Sequence, residues 1–403
     1  MTLGTNQPLT TSLLAAGGLV SLALACSSTV TGGLGPGGGD ATVTSTSSMG
    51  TQTSTSSTGG GNSTTSSSGA GGSSSGSTGT QPPSRPSGPA GNGSGTTVFA
   101  ISRIYLGNTD RRGHTSANAW RSFGYNLDNV VTICSGNNCA GIGQCKLVAG
   151  ADPAVAEDGP GGVDNAFGHK IAPVLAPLGA DSAIDHDLSQ GKSTTLFAVD
   201  NLGSATTYST LATSVYEGGD LMHAPVFDGS DHWPVLAAGL GGNMMDINDS
   251  KVRFNSAYVT NDTWVSGDPG TFSLNLDIQG FTLTLNMAHA IVSFQMSADH
   301  TRATNGVIAG VVKTDELLSE FQMLVPHLAM SQAFCDPNNA TVASVLDEIR
   351  KASDIMADGT SGTPNEQCDG TSIGLGFDAD IVQLGGIIPV QPPPPPFCQT
   401  SGG

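Results

Sequence analysis

The residues best suited to chemistry lie in one short run, Glu157-Asp158-Gly159-Pro160-Gly161-Gly162-Val163-Asp164-Asn165-Ala166-Phe167-Gly168. It sets two aspartates and an asparagine on a glycine-rich loop that closes on an aromatic residue. Oxygen ligands on a pliant loop suit a hard cation such as calcium, which gathers about six to eight oxygens from side chains and carbonyls. Asp158, Asp164 and Asn165 would supply side-chain oxygens. Asp110 with Asn108, and Asp128 with Asn126, would complete the shell if the fold brings them in. The spacing is not that of an EF-hand, because the alternating acidic order and the distal glutamate are missing. The plainer reading is a tight turn in which Asp and Asn side chains cap backbone N–H groups.

A second group is Asp185-His186-Asp187 with His223, Asp228, Asp231 and His232. Such residues could serve as an acid/base pair or a metal site in an extracellular hydrolase, the alternative to a binding or structural module. No HExxH spacing and no GxSxG elbow accompanies them. Scattered loop histidines are ordinarily solvated, so the sequence assigns no catalytic residue.

The seven cysteines are Cys26, Cys134, Cys139, Cys145, Cys335, Cys368 and Cys398. Spacings of five and six between Cys134, Cys139 and Cys145 do not match the short-spaced ligand pairs of zinc ribbons. In an exported chain disulfides are the expected use. Six cysteines leave the connectivity open. The expected set is Cys335 with Cys368 across a helix, one pair inside the 134–145 group, and Cys398 with the cysteine left over.

Cys26 stands apart. The apolar run from Thr11 to Ala25 is too short to span a bilayer but has the length of a signal-peptide core. It ends Leu22-Ala23-Leu24-Ala25-Cys26, which resembles the lipobox of bacterial lipoproteins, although Ala23 stands where leucine is usual and no Lys or Arg precedes the run. The resemblance implies that residues 1–25 are removed, that the Cys26 thiol carries a diacylglycerol, and that Ser27 directs the chain to the outer membrane. Residues 26–97 are low in complexity, built of Ser, Thr and Gly. Such a tract cannot bury enough apolar surface to offset its ordering entropy and reads as a disordered tether. About 70 residues of this type span on the order of 45 Å.

The elements that must position the acidic loop follow from Val98. The formal charge of -19 falls almost wholly on this part, since Asp40 is the only acidic residue before Ser102. With no basic cluster to offset it, nucleic-acid binding is excluded as a function. Val98–Leu106, Ser193–Asp200, Val252–Thr260 and Gly306–Val312 read as strands, and Ala119–Asn129 as a further one with Trp120 and Phe123 near the core. Across Thr271–Met296 three period-2 runs predict an antiparallel meander. Thr314–Leu328 and Asn339–Met356 carry helical spacing. Ser372–Asp380 returns as a strand, and Pro392–Pro396 opens a proline-rich tail over 391–403. The expected fold is mainly β: an antiparallel β-sandwich or sheet over 98–390, with one or two packed helices and disulfide staples.

Three segments carry a further likeness: Ala119-Trp120-Arg121-Ser122-Phe123-Gly124-Tyr125-Asn126-Leu127-Asp128, the run Asp158–Gly168, and Ile373-Gly374-Leu375-Gly376-Phe377. Over about Val98 to Leu384 the chain resembles a family of uncharacterised secreted lipoproteins of myxobacterial type. That resemblance implies a surface location and no activity. The expectation is therefore a cell-surface lipoprotein whose only membrane contact is its anchor, with a glycan or protein as ligand.

Overall fold

The computed structural model describes residues 80–135, 138–140, 144–278, 281–324, 336 and 339–389. The signal segment, Cys26, the tether to residue 79, Cys335, Cys398 and the proline-rich tail lie outside the described residues.

Twelve strands follow in chain order: β1 (Thr96–Tyr105), β2 (Ile133–Ser135), β3 (Asn138–Ala140), β4 (Thr194–Asp200), β5 (Tyr208–Gly218), β6 (His232–Leu236), β7 (Val252–Thr260), β8 (Thr263–Val265), β9 (Gly270–Ile278), β10 (Phe281–Met296), β11 (Arg302–Lys313) and β12 (Gly370–Ile388). The helices are α1 (Ala172–Leu175), α2 (Ala180–Gln190), α3 (Thr314–Leu324) and α4 (Ala340–Lys351). Eight strands pair antiparallel in a ring, β1-β4-β5-β7-β8-β10-β11-β12, and β12 pairs back onto β1. The fold is thus a closed barrel and not the expected sandwich. Period-2 alternation cannot separate the two, because each buries one face of every strand. What decides is the pairing of the first strand with the last, such as Val98 with Val382 and Ile104 with Phe377.

The barrel interior is filled. Phe197 packs against Trp264, Phe272, Phe294 and Phe377 with ring centroids 5.8 to 6.4 Å apart. Trp264 and Phe294 stack at 4.7 Å. Burying each such side chain is worth roughly 1.5–3 kcal/mol. β1 explains its own unbroken apolar run. Phe99 and Ile101 face this core, while Val98 and Ala100 face outward into a second layer with Trp233 and Val235 of β6. β6 lies outside the ring, parallel to β12.

The expected meander is two strands. Its second and third runs form the single strand β10, whose inward positions change phase between Leu283-Leu285-Met287 and Ala290-Val292-Phe294. A bulge between Met287 and Ala290, with His289 at φ 50°, absorbs the extra residue. Ala119–Ser122 is a 3-10 turn rather than strand, although Trp120 and Phe123 are buried as expected. The two expected helices are α3 and α4, and the Asn339 side chain caps α4 by accepting from Thr341 N at 2.8 Å.

Cys134 pairs with Cys139 across the β2–β3 hairpin, and Cys145 pairs with Cys368. The second bond replaces the expected Cys335–Cys368 staple. Cys145 and Cys368 adjoin the single parallel bridge that Lys146 forms with Gln367, which brings their Cα atoms to 5.1 Å.

Composition places residues 80–97 in the tether, yet the chain packs on the domain from Thr80. Thr80 N donates to Gly161 O at 2.5 Å, Asn126 N donates to Thr80 O at 2.8 Å, and Arg85 lies over the Tyr258 ring.

Candidate functional site

The three segments singled out in the sequence meet at one joint on the outer face of β12. Gly374 and Gly376 make the approach possible. A Cβ at Gly374 would land on Phe123 O, and one at Gly376 would meet the Phe123 ring at 2.5 Å. The alternating glycines of Ile373–Phe377 strip one face of the strand while Ile373, Leu375 and Phe377 fill the barrel on the other.

Asn165 locks the contact. Its Nδ2 donates to Trp120 O (3.1 Å), Phe123 O (3.0 Å) and Gly374 O (2.8 Å). Its Oδ1 accepts from Gly168 N (2.8 Å) and Gly374 N (2.9 Å). The side chain is 1% exposed and its oxygen is fully committed, so Asn165 is a structural clamp and not the cation ligand expected of it.

The acidic loop zips onto residues 125–132. Asp158 N donates to Thr132 O (3.0 Å), and Asp158 Oδ2 accepts from Thr132 N (2.5 Å). Asp164 N donates to Tyr125 O (3.0 Å), and Asp164 Oδ2 accepts from Leu127 N (2.6 Å). Between them Gly159 N donates to Val163 O (2.8 Å), with Gly161 and Gly162 at positive φ. This hairpin-like turn sets both carboxylates against the 125–132 segment, Asp158 on Thr132 N and Asp164 on Leu127 N. Asp128, capping Val130 N at 2.8 Å, lies close enough to add its field, as does Asp354. Asp354 accepts from Ser372 N (2.8 Å) and Ser372 Oγ (2.5 Å).

Burial makes these carboxyl groups hold their protons more tightly than usual. Burial pushes Asp158 up to about 8, with Asp128 and Asp354 adding to the shift against the Thr132 N–H. Burial lifts Asp164 well above the usual carboxylate range, and the neighbouring Asp158 reinforces it. Burial also raises Asp128, and pushes Asp354 up to about 7 against its Ser372 hydrogen bonds.

Asp158, Asp164 and Asp128 are therefore all engaged on the one segment 127–132, at Thr132 N, Leu127 N and Val130 N. Asp110 is not part of this group, since its carboxylate is spent on Arg112 N and His114 N of its own exposed turn, each at 2.9 Å. Asp354 was not legible as a member. It is one aspartate beyond α4, and nothing in its local sequence points across the chain. Among the described residues no three His, Cys, Asp or Glu side chains converge in the manner of a formed metal centre.

The histidine group disperses. Asp185, His186 and Asp187 sit on α2, where successive side chains point apart. Asp231 is buried as the cap of Val226 N (2.9 Å) and Phe227 N (2.7 Å), while His223, Asp228 and His232 are exposed. Among the described residues no hydrogen bond or ion pair joins the imidazole ring of His186, His223 or His232 to a nucleophilic or acidic side chain; Ser189 Oγ donates only to the His186 backbone carbonyl (2.7 Å).

No family model, curated protein or solved structure matches the chain.

Proposed function

We propose that this chain is an exported surface protein, anchored through a lipid on Cys26, whose barrel head acts as a binding or structural module through its outer surface. The observation that carries the second half is the filled interior. Barrels that hold a small ligand keep a cavity, whereas here Phe99, Phe197, Trp264, Phe272, Phe294 and Phe377 occupy the centre at 1% exposure or less. Recognition of a glycan or a protein is left to the outside. The first half is supported by the apolar run ending at Cys26, the Ser/Thr/Gly tract behind it, and the resemblance to secreted lipoproteins.

The test is expression of the full chain in a bacterial host fed a clickable palmitate analogue. Labelled protein in the outer-membrane fraction is expected, with label and membrane retention both lost in Cys26→Ser. Unlabelled, soluble wild type contradicts the anchor. A glycan array and a pull-down with the mature chain test the head; binding that survives competition by excess unlabelled head is nonspecific and counts against it.

A further inference from the structure

Two buried polar atoms face each other unpaired at one end of the barrel. Asp262 lies in the turn between β7 and β8, and His300 in the loop between β10 and β11. His300 is 8% exposed, and its Nε2 stands 3.7 Å from Asp262 Oδ1. Among the described residues neither atom has a hydrogen-bond partner. The gap exceeds the roughly 2.7–3.2 Å of an N–H···O bond, yet an ion pair can act across it. The backbone around both residues is pinned. Asp262 N donates to Thr206 O (2.9 Å), and Asp262 O accepts from Met296 N (2.8 Å). His300 N donates to Ser297 O (2.9 Å), and the next carbonyl, Thr301 O, accepts from Ile381 N of β12 (2.9 Å). The other charged groups nearby are committed. On the same loop as His300, Asp299 Oδ1 accepts from Ser297 Oγ (2.6 Å), Thr301 Oγ1 (2.9 Å) and Thr301 N (3.3 Å). Arg302 turns to Asp380 of β12, Nε to Oδ1 at 3.5 Å.

We propose that His300 and Asp262 form a proton-operated latch between the β7–β8 turn and the β10–β11 loop. A neutral imidazole lacks the charge that would draw the contact shut. A proton taken from solvent makes the ring a cation, and Nε2–H then donates to Asp262 Oδ1 as a charge-assisted bond, shorter and stronger than a neutral one. Histidine is the side chain suited to such a switch, because its charge changes between about pH 5 and 8. Only a small movement of two side chains is needed, since the backbones already stand in place. The closed latch joins the Ser297–Thr301 loop to Asp262, and through the Asp262 backbone to Thr206 and the end of β10. Its contribution is present on the acid side and is lost as pH rises and the ring gives up its proton. This inference stands independently of the surface reading above.

The experiment is a double-mutant cycle on the mature chain: wild type, Asp262→Asn, His300→Asn and the double variant, unfolded in urea at pH 5.5 and at pH 8. Both positions hold positive φ, 61° and 54°, which asparagine tolerates. Asp158 and Asp354 titrate alike in all four proteins, so their pH dependence cancels from the cycle. The coupling between the two sites should reach about fivefold or more in the unfolding constant at pH 5.5 and fall below about twofold at pH 8. The imidazole nitrogen signals of His300 in wild type, assigned through its own backbone, should move from the neutral to the charged pattern over the same interval. Two results overturn the proposal: a coupling that is the same at both pH values, or His300 ring signals that do not change between them. The ring signals of wild type decide the matter even if a variant fails to fold.

Discussion

The Asn165 side-chain amide and the Gly374 peptide hold each other by both edges: Nδ2 donates to Gly374 O at 2.8 Å, and Oδ1 accepts from Gly374 N at 2.9 Å. The amide thus stands in for a neighbouring strand on the outer face of β12. It fixes where the acidic loop sits relative to the barrel. Asn165→Ala would orphan two N–H groups and the Phe123 and Gly374 carbonyls in a buried place, while Trp120 O keeps Phe123 N, a loss of about 3 kcal/mol or more. Urea unfolding of the variant against wild type measures it.

Gly374→Ala tests the same contact from the other side. The added Cβ falls on Phe123 O, with backbone on both sides. Overpacking of this kind costs about 1–3 kcal/mol, and the variant should also loosen the 120–125 segment. Chemical denaturation together with limited proteolysis reads both effects.

The pH dependence follows from the raised carboxyl groups. Asp158 titrates near 8 when folded and near about 4 when unfolded. Between those values the folded state binds more protons than the unfolded one, so stability falls as pH rises. Asp354, near 7 when folded, adds to the fall over the lower part of the same window. In EDTA the melting temperature should therefore drop from pH 5 to pH 8, and Asp158→Asn should flatten the slope.

The two disulfides should contribute unequally. Cys145–Cys368 spans a sequence separation of 223, and Cys134–Cys139 only 5. Chain-entropy arguments assign the first about 5 kcal/mol and the second about 2 kcal/mol. Cys145→Ala/Cys368→Ala should therefore lower the denaturation midpoint well beyond Cys134→Ala/Cys139→Ala.

Phe197 is the hub of the aromatic core. Phe197→Ala removes contacts to four rings and should cost about 3–5 kcal/mol. Differential scanning calorimetry on the purified chain checks it.

Strands were legible wherever one face is apolar and the other polar, as in β7 and β9. The closure of the ring was not, because the pairing of Val98 with Val382 is a relation between residues far apart in sequence, with no local trace. The bulge in β10 was visible as a phase change at His289, but a turn leaves the same mark as a bulge. Helix α2 was missed because Asp181, Asp185 and Asp187 crowd its polar face and only Ala180, Ile184 and Leu188 are buried. At the joint, Asp158 and Asp164 could be read because they share one glycine loop. Asp354 enters from another part of the chain through Ser372, and only the fold introduces it.

The account rests on the Asn165–Gly374 contact as what fixes the acidic loop on the barrel. Hydrogen–deuterium exchange of wild type and Asn165→Ala tests it most directly. Faster exchange in the variant confined to residues 120–132 and 158–168, with β4 and β10 unchanged, is the predicted result. Identical exchange of those two segments in both proteins, or equal acceleration throughout the barrel, would contradict it.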